Sequence, residues 1–505
     1  MENIAVDVDF EPITEGVIHD GVISLYSTLP SSLSYAENLH NDTIGVMSVR
    51  PAVTTKFTPA ATPLSTVMFQ NISGNNYLLW QEGTSLKYVG ADNPGSVTTH
   101  TSVLDASLQA RYSIIGGYVL MTENNDIKYF NVATGPTALG ITVPINTNLI
   151  NAGFGGRIWY ASAVDGTNRL YYTDVIPTGG VTSVTGTAPY LVVNASNGDY
   201  LTALVRTQQA LFVFTSNGVF RVYNTQSQDN SPCANVGTVR QESVTEAKDG
   251  FYFYHPSGFY KLNSDGSAQN ISSRISTILP TQAVYNINNC TAWSVLDHVY
   301  FAFPLGSNGG TTIYRYSIST QVWTIYKLQS MDVLCASVAY PRPVSQPSLG
   351  GIARTPQCYI LGTDAVNTRF AGTFVENLGD GTIGTQLGSL DLGTYPIFTQ
   401  QVTQWKIFGK DNHIKQIFGL SFDSQGCAGM DISYQVDGEQ DWRPVGSLDF
   451  NSVTFFRDFV SVPFTKIRFK VSGQAYGQVG TYVQLSQPTI LKLVDIGYPT
   501  NNYGN

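Results

Sequence analysis

The sequence predicts an all-β protein: a β-propeller of six or seven blades followed by a C-terminal β-sandwich. Three observations predict it. Strand formers dominate the composition, with 29 Tyr and 25 Phe among 505 residues, and 47 Gly punctuate them. Apolar, aromatic-rich runs recur every 40 to 59 residues between about 60 and 385, a period characteristic of propeller blades. After about 385 the runs become longer and alternate polar with apolar residues, as half-buried antiparallel strands do.

Residues 1–60 form the first unit, an N-terminal arm or entry segment with several prolines and short apolar pieces such as GVIHDGVISLYS. Two readings stand side by side. The arm clasps a neighbouring subunit, or it covers one end of the next domain. Its opening, MENIAVDVDFEP, places acidic residues where a signal peptide needs basic ones, and no run reaches 18 apolar residues. The expectation is a soluble chain synthesised in the cytoplasm.

Residues 61–385 carry the repeat. The runs are NNYLLW near Leu78, GGYVLM near Tyr118, GRIWYA near Ile158, ALFVFT near Phe212, GFYFYH near Tyr252, HVYFAF near Tyr300 and QCYILG near Tyr359, at intervals of 40, 40, 54, 40, 48 and 59 residues. Several units read strand, turn, strand, as in YLLWQEGTSLKYVG and LFVFTSNGVFRVYNT. Gly or Asn in the turns supplies the positive φ that tight hairpins need. No helical 3.6-residue periodicity is sustained over ten residues. The two longest gaps contain PTGGVTSVTGTAP and PRPVSQPSLGG, insertions of the kind displayed on one face.

Residues 386–505 give about seven strands, including HIKQIFGLSFDS, MDISYQVDG and TKIRFKVSG, which fits a sandwich. Trp405 and Trp442 belong to its core or its rim.

Composition excludes some functions. Only 12% of residues are charged and the net charge is −9. Sequence-independent nucleic-acid binders gain affinity by neutralising many phosphates. The 27 Lys and Arg form no block, so tight binding to nucleic acid is not expected, although a surface that DNA slides past is compatible. Five widely spaced cysteines, at 233, 290, 335, 358 and 427, contain no CxxC pair and read as scattered buried thiols. The six histidines form no HxH or HExxH motif and are read as structural.

A propeller invites a glycosidase reading, which needs paired carboxylates. Asp105, Asp174 and Asp249 sit beside turns, where Asp commonly caps its own backbone. SFDSQGCAG resembles an Asp-box turn only loosely, with its glycine one place late and no Trp. There is no GxSxG elbow and no phosphate-binding loop. The aromatic strands could be a carbohydrate platform, but at blade spacing aromatics fill the space between blades. No catalytic, cofactor-binding or metal-binding residue is assigned, no cofactor is expected, and the chain is not expected to be an enzyme.

Four segments together resemble the β-propeller tail proteins of short-tailed double-stranded DNA bacteriophages, the nozzle or hub type. They are AENLHNDTIGVMSVRPAVT (36–54), GFYKLNSDGSAQNISSRI (258–275), IYRYSISTQVWTIYKL (313–328) with Trp323 and Thr324, and the stretch from ISYQVDGEQDWRPVGSL to TKIRFKVSG (432–473). In the first, Arg50 and Pro51 are followed by Ala52 where that family has Gly. The resemblance implies a virion structural protein of the tail. It implies a homo-oligomeric ring of six copies around the DNA exit channel, retaining and then releasing the genome. It implies docking to an adaptor or portal ring on one side and a fibre, spike or needle, or the host surface, on the other. Viral DNA would pass without sequence-specific binding. The alternative is a carbohydrate-binding or carbohydrate-active propeller, acting as a receptor-binding tail protein or a glycosidase.

Overall fold

In a computed structural model, the structure describes residues 53–339, 356–373 and 390–497 apart from segments of nine residues or fewer. Before Val53 it describes the strands Val8–Asp9, Leu33–Glu37, Leu39–Thr43 and Val46–Val49. The segment 340–355, which holds PRPVSQPSLGG, and most of PTGGVTSVTGTAP lie outside the described residues.

Each of the seven aromatic-rich runs is the second strand of a successive antiparallel set of strands: Asn76–Glu82, Tyr118–Thr122, Arg157–Ser162, Leu211–Thr215, Gly250–His255, His298–Pro304 and Gln357–Asp364. The strand before each run starts the sheet. These first strands are Pro63–Gln70, Arg111–Ile115, Leu149–Phe154, Leu201–Arg206, Val244–Ala247, Thr291–Val295 and Met331–Ala339. Five of the seven sets are four-stranded sheets among the described residues, and the four strands of the sixth blade are one end of a nine-stranded sheet that continues through Leu33–Glu37. The fourth sheet has three, and the bridge between Val219 and Ala234 starts to fill its outer place. Hairpin geometry follows the sequence. Glu82 pairs with Ser85 across a two-residue loop, and Gly83 in that loop has φ +53°, the backbone region a tight hairpin requires.

The core explains why the runs are aromatic. Buried apolar residues fall into clusters that lie between successive sheets. One joins Phe69 and Leu79 of the first sheet to Met121 and Phe130 of the second. Another joins Trp159 of the third to Phe220 of the fourth. Large rings fill a gap of about 10 Å between packed sheets efficiently. The series returns to its start, because Trp80 and Met68 of the first sheet share a cluster with Tyr359 and Leu361 of the seventh. Met68 N donates to Ser337 Oγ at 2.6 Å, and Tyr359 OH donates to the Ala91 carbonyl at 3.1 Å. Seven sheets whose first strands meet around an axis, the last against the first, form a closed β-propeller of about seven blades.

The outer strand of the seventh blade is Thr54–Phe57, which pairs with Arg369–Thr373. The ring is thus closed by a strand that precedes the first blade, and Phe57 packs on Trp80 with ring centroids 5.0 Å apart. The rest of the described N-terminal segment pairs within the chain. Leu33–Glu37 lies between Phe398–Thr403 and the edge of the sixth blade, and Val46–Val49 pairs with Gln484–Ile490.

After the ring, strands lie in two sheets around one further apolar cluster, and one of these sheets continues the sixth blade through Leu33–Glu37. Ile417, Leu420, Phe422 and Ile490 come from one sheet, and Ile432, Tyr434, Ile467, Phe469 and Val471 from the other. Cys290, Cys335 and Cys358 are buried and Cys233 is half-buried, none of the four in a disulfide; Cys427 lies outside the described residues.

Candidate functional site

The first strands of a propeller line its axis, so residues on them and just before them meet in the middle. Here they line a half-open cavity of about 190 Å³, with Ser65, Gln109, Arg111, Tyr112, Thr291 and Cys335 and the turn that carries Gln241 and Glu242 as its walls. That volume is below the roughly 300–1,000 Å³ of drug-sized ligand pockets.

The turn is a single 3-10 turn, Gln241–Ser243, immediately before the first strand of the fifth blade. Local polar contacts shape it. Ser243 Oγ donates to the Arg240 carbonyl at 2.7 Å, the Arg240 backbone N–H donates back to that hydroxyl at 3.3 Å, and Thr238 Oγ1 lies 2.7 Å away. Gly237 leads into it. A Cβ there would sit 1.9 Å from the Thr215 carbonyl oxygen, so only glycine lets the chain run this close to the fourth blade.

The turn reaches three other blades. Toward the fourth, Gln241 exchanges both amide hydrogen bonds with the Leu204 backbone, at 2.7 and 3.0 Å. Toward the second, Arg111 Nε donates to Glu242 Oε1 at 3.1 Å. Toward the sixth, Arg240 donates to the Asn288 carbonyl at 2.5 Å. Arg240 also donates to Glu242 Oε2 at 2.6 Å and to Gln109 Oε1. Gln109 is positioned by Gln81, a fully buried residue of the first blade. Its amide holds the Asp105 and Leu108 carbonyls at 2.9 Å, and its oxygen accepts from Ala110 N at 2.8 Å.

One carboxylate thus lies between two guanidiniums at the axis. Burial alone pushes the Glu242 pKa up, but Arg240 and Arg111 more than offset it and hold the carboxyl at about 2. Burial pushes the Arg111 guanidinium down, with Glu242 opposing. Burial also raises the Cys335 thiol well above its ordinary range, which leaves it protonated and a poor nucleophile at neutral pH. Glu242 is the only acid among the lining residues. A carboxyl held near 2 is poorly matched to proton transfer at neutral pH. What the arrangement does is mechanical and electrostatic: it ties alternate blades together across the axis.

The acids singled out in the sequence stay apart. Asp105 precedes the second blade, and its carbonyl is held by Gln81. Asp174 is exposed at the end of the third blade, 3.8 Å from Arg157. Asp249 lies in a hairpin of the fifth, 2.6 Å from Lys261. In SFDSQGCAG, Ser421–Gln425 ends the strand Ile414–Gln425 instead of forming a turn; residues 426–429 lie outside the described residues. Four histidines have local structural partners: His100 stacks on Tyr88, His255 bonds Ser257, His298 bonds Arg315 and His413 bonds Asp495. No group of three or more potential metal ligands occurs among the described residues. Arg240 and Glu242 had no motif to mark them. The one available cue was the scarcity of charge in the chain.

Trp405 and Trp442 are half-buried on the outer face of the C-terminal sheet. Arg468 lies over both rings, at 4.6 and 5.1 Å from their centroids.

No protein-family model matches the chain, and no curated protein does. Among solved structures it is similar to a streptogramin B lyase, at 13% identity and a TM-score of 0.43 over 64% of this chain and 97% of that one. It is similar also to a β-propeller domain of Cps50 (Swd1) from Myceliophteria thermophila, at 10% identity and 0.39 over 64% and 100%. The extracellular domain of the putative hybrid two-component system BT4673 from B. thetaiotaomicron gives 11% identity and 0.45 over 87% and 62%. At these identities and scores, the likenesses carry nothing about activity.

Proposed function

We propose that this chain is a structural protein of a bacteriophage tail, a nozzle or hub subunit. Copies of it would form a ring around the DNA exit channel that retains and then releases the genome. The two C-terminal sheets around one core are read as a β-sandwich. The observation that carries the reading is the axis of the propeller. It is crossed by a largely buried Arg–Glu–Arg cluster that joins blades, and a passage for DNA would therefore lie between copies and not through one chain. The family-like order of the four sequence segments supports it. So does the construction of the chain, whose N-terminal strands pair with both the last blade and the C-terminal sheets.

On this reading the protein is not an enzyme and resides in the virion tail. Its partners are further copies of itself, an adaptor or portal ring, and fibre, spike or needle proteins. A carbohydrate-active propeller is less well supported, because the axial cavity holds a single carboxylate already paired with two arginines. Light scattering and negative-stain imaging of the purified chain, alone and with an adaptor ring as template, test the proposal. Rings with a central hole are expected, six-fold if the resemblance holds in detail. A monomer under both conditions that cleaves polysaccharide overturns it.

A further inference from the structure

The strand Ile467–Gln474 alternates cleanly. Ile467, Phe469 and Val471 enter the C-terminal core. Arg468 and Lys470 therefore share the outer face, their Cα atoms about 6.6–6.8 Å apart, and Lys466, just before the strand, joins them there over the Trp405 ring. Indoles interleave them: Lys466 lies 5.0 Å and Arg468 4.6 Å from the Trp405 ring centroid, and Arg468 lies 5.1 Å and Lys470 4.8 Å from that of Trp442. Arg468 is fixed further by two hydrogen bonds to Gln435 Oε1, at 2.8 and 2.6 Å.

Among the described residues none of these three cations is ion-paired, in a chain where acids outnumber bases 36 to 27. The acids nearby are engaged elsewhere. Asp437 accepts from the Thr465 and Lys466 backbone N–H groups, Glu439 holds Arg443, and Asp431 accepts from Ser447. Asp441 is exposed beside Trp442. Partial burial of Arg468 lowers its pKa, the mark of a cation desolvated without a counter-charge. Three like charges held side by side repel each other, and cation–π contacts offset that only in part.

We infer that the Lys466–Arg468–Lys470 row is a contact for the phosphate backbone of duplex DNA. The indoles select the occupant. Single-strand binders present open aromatic faces on which bases stack, and sugars need the same faces. Here cations lie over them, which leaves the row of charge as the recognition element. Three phosphate contacts give weak binding that any sequence satisfies. The inference does not rest on the ring reading, and its test is independent of oligomeric state.

The test is fluorescence anisotropy of the full chain with a labelled 20-base-pair duplex across a salt series. With three phosphates neutralised, log K is expected to fall with log salt at a slope of about 2.7, roughly an 80-fold loss between 20 and 100 mM. The double substitution Lys466→Gln and Lys470→Gln keeps Arg468 and its Gln435 bonds. It is expected to reduce that loss to about 4-fold, with an unchanged thermal unfolding midpoint showing that the fold is kept. Absence of binding at 20 mM salt, an unchanged slope in the variant, or equal or tighter binding of a single strand or of dextran sulfate would each overturn the inference.

Discussion

Glu242 is the residue on which the axial cluster depends. Removing its charge leaves Arg111 and Arg240 facing each other in a partly buried setting, and the cost is about 3 kcal/mol, the lower end for breaking a buried pair, because Glu242 and Arg240 keep some contact with solvent. Glu242→Gln is expected to lower the denaturant midpoint by an amount equivalent to that loss, read from urea unfolding with an unchanged m-value. An unchanged midpoint would show that the cluster carries no net stability. The wild-type protein has a matching pH dependence. The carboxyl sits at about 2 when folded, against an ordinary value of 4.5. A depressed folded-state pKa contributes stability in full above the ordinary value and loses it as pH falls toward the folded one. The contribution is about 3 kcal/mol, lost between about pH 4.5 and 2. Asp297 loses stability over a similar window. Burial raises its pKa, but hydrogen bonds from Lys248 and Ser319 hold it at about 2. In Glu242→Gln the acid-induced loss is expected to be correspondingly smaller.

At the scale of one element, the blade is a sheet whose second strand is buried on both faces. This is why GFYFYH and HVYFAF read as near-continuous apolar runs, whereas TKIRFKVSG alternates. Some positions are set by backbone proximity instead of burial. Gly362 lies within Gln357–Asp364 beside the bulge between Val333 and Cys335, and a Cβ there would fall 1.9 Å from the Asp332 carbonyl oxygen. Its backbone cannot yield without opening the seventh blade. Gly362→Ala is expected to destabilise the protein by about 3 kcal/mol, at the upper end for overpacking, with faster hydrogen exchange confined to the seventh blade and its neighbours. Exchange unchanged in that blade would show that the strand pair has room to shift.

The whole molecule is closed by its beginning. Thr54–Phe57 completes the seventh blade, and the strands before it pair with the C-terminal sheets. A chain lacking residues 1–57 is expected to leave Arg369–Thr373 as an open edge and Trp80 without Phe57. Exposed strand edges recruit other strands, so gel filtration should show soluble aggregate, and hydrogen exchange should show loss of protection in Arg369–Thr373. A monodisperse, fully protected truncated protein would mean that the ring closes on apolar packing between the first and seventh blades alone.

How much of this was legible in the sequence depended on how local its cause is. The seven aromatic runs fixed the repeating unit, because burial between two sheets acts on each strand separately and leaves its mark on composition. Turn glycines such as Gly83 were legible for the same reason: the φ they require is a property of one residue. Placement of Thr54–Phe57 in the last blade was not legible, since it pairs with a strand more than 300 residues later in the chain. Nor was the axial cluster. Arg111, Arg240 and Glu242 are unremarked polar residues until closure of the ring brings the second and fifth blades to one axis. The Lys466–Arg468–Lys470 alternation could be read as one outward face, but its Trp405 and Trp442 neighbours come from other parts of the chain, and only the packed sheet puts a ring between charges. Local periodicity was thus written into the sequence, whereas ring closure and every charge that meets across it depended on which distant segments the tertiary structure packs side by side.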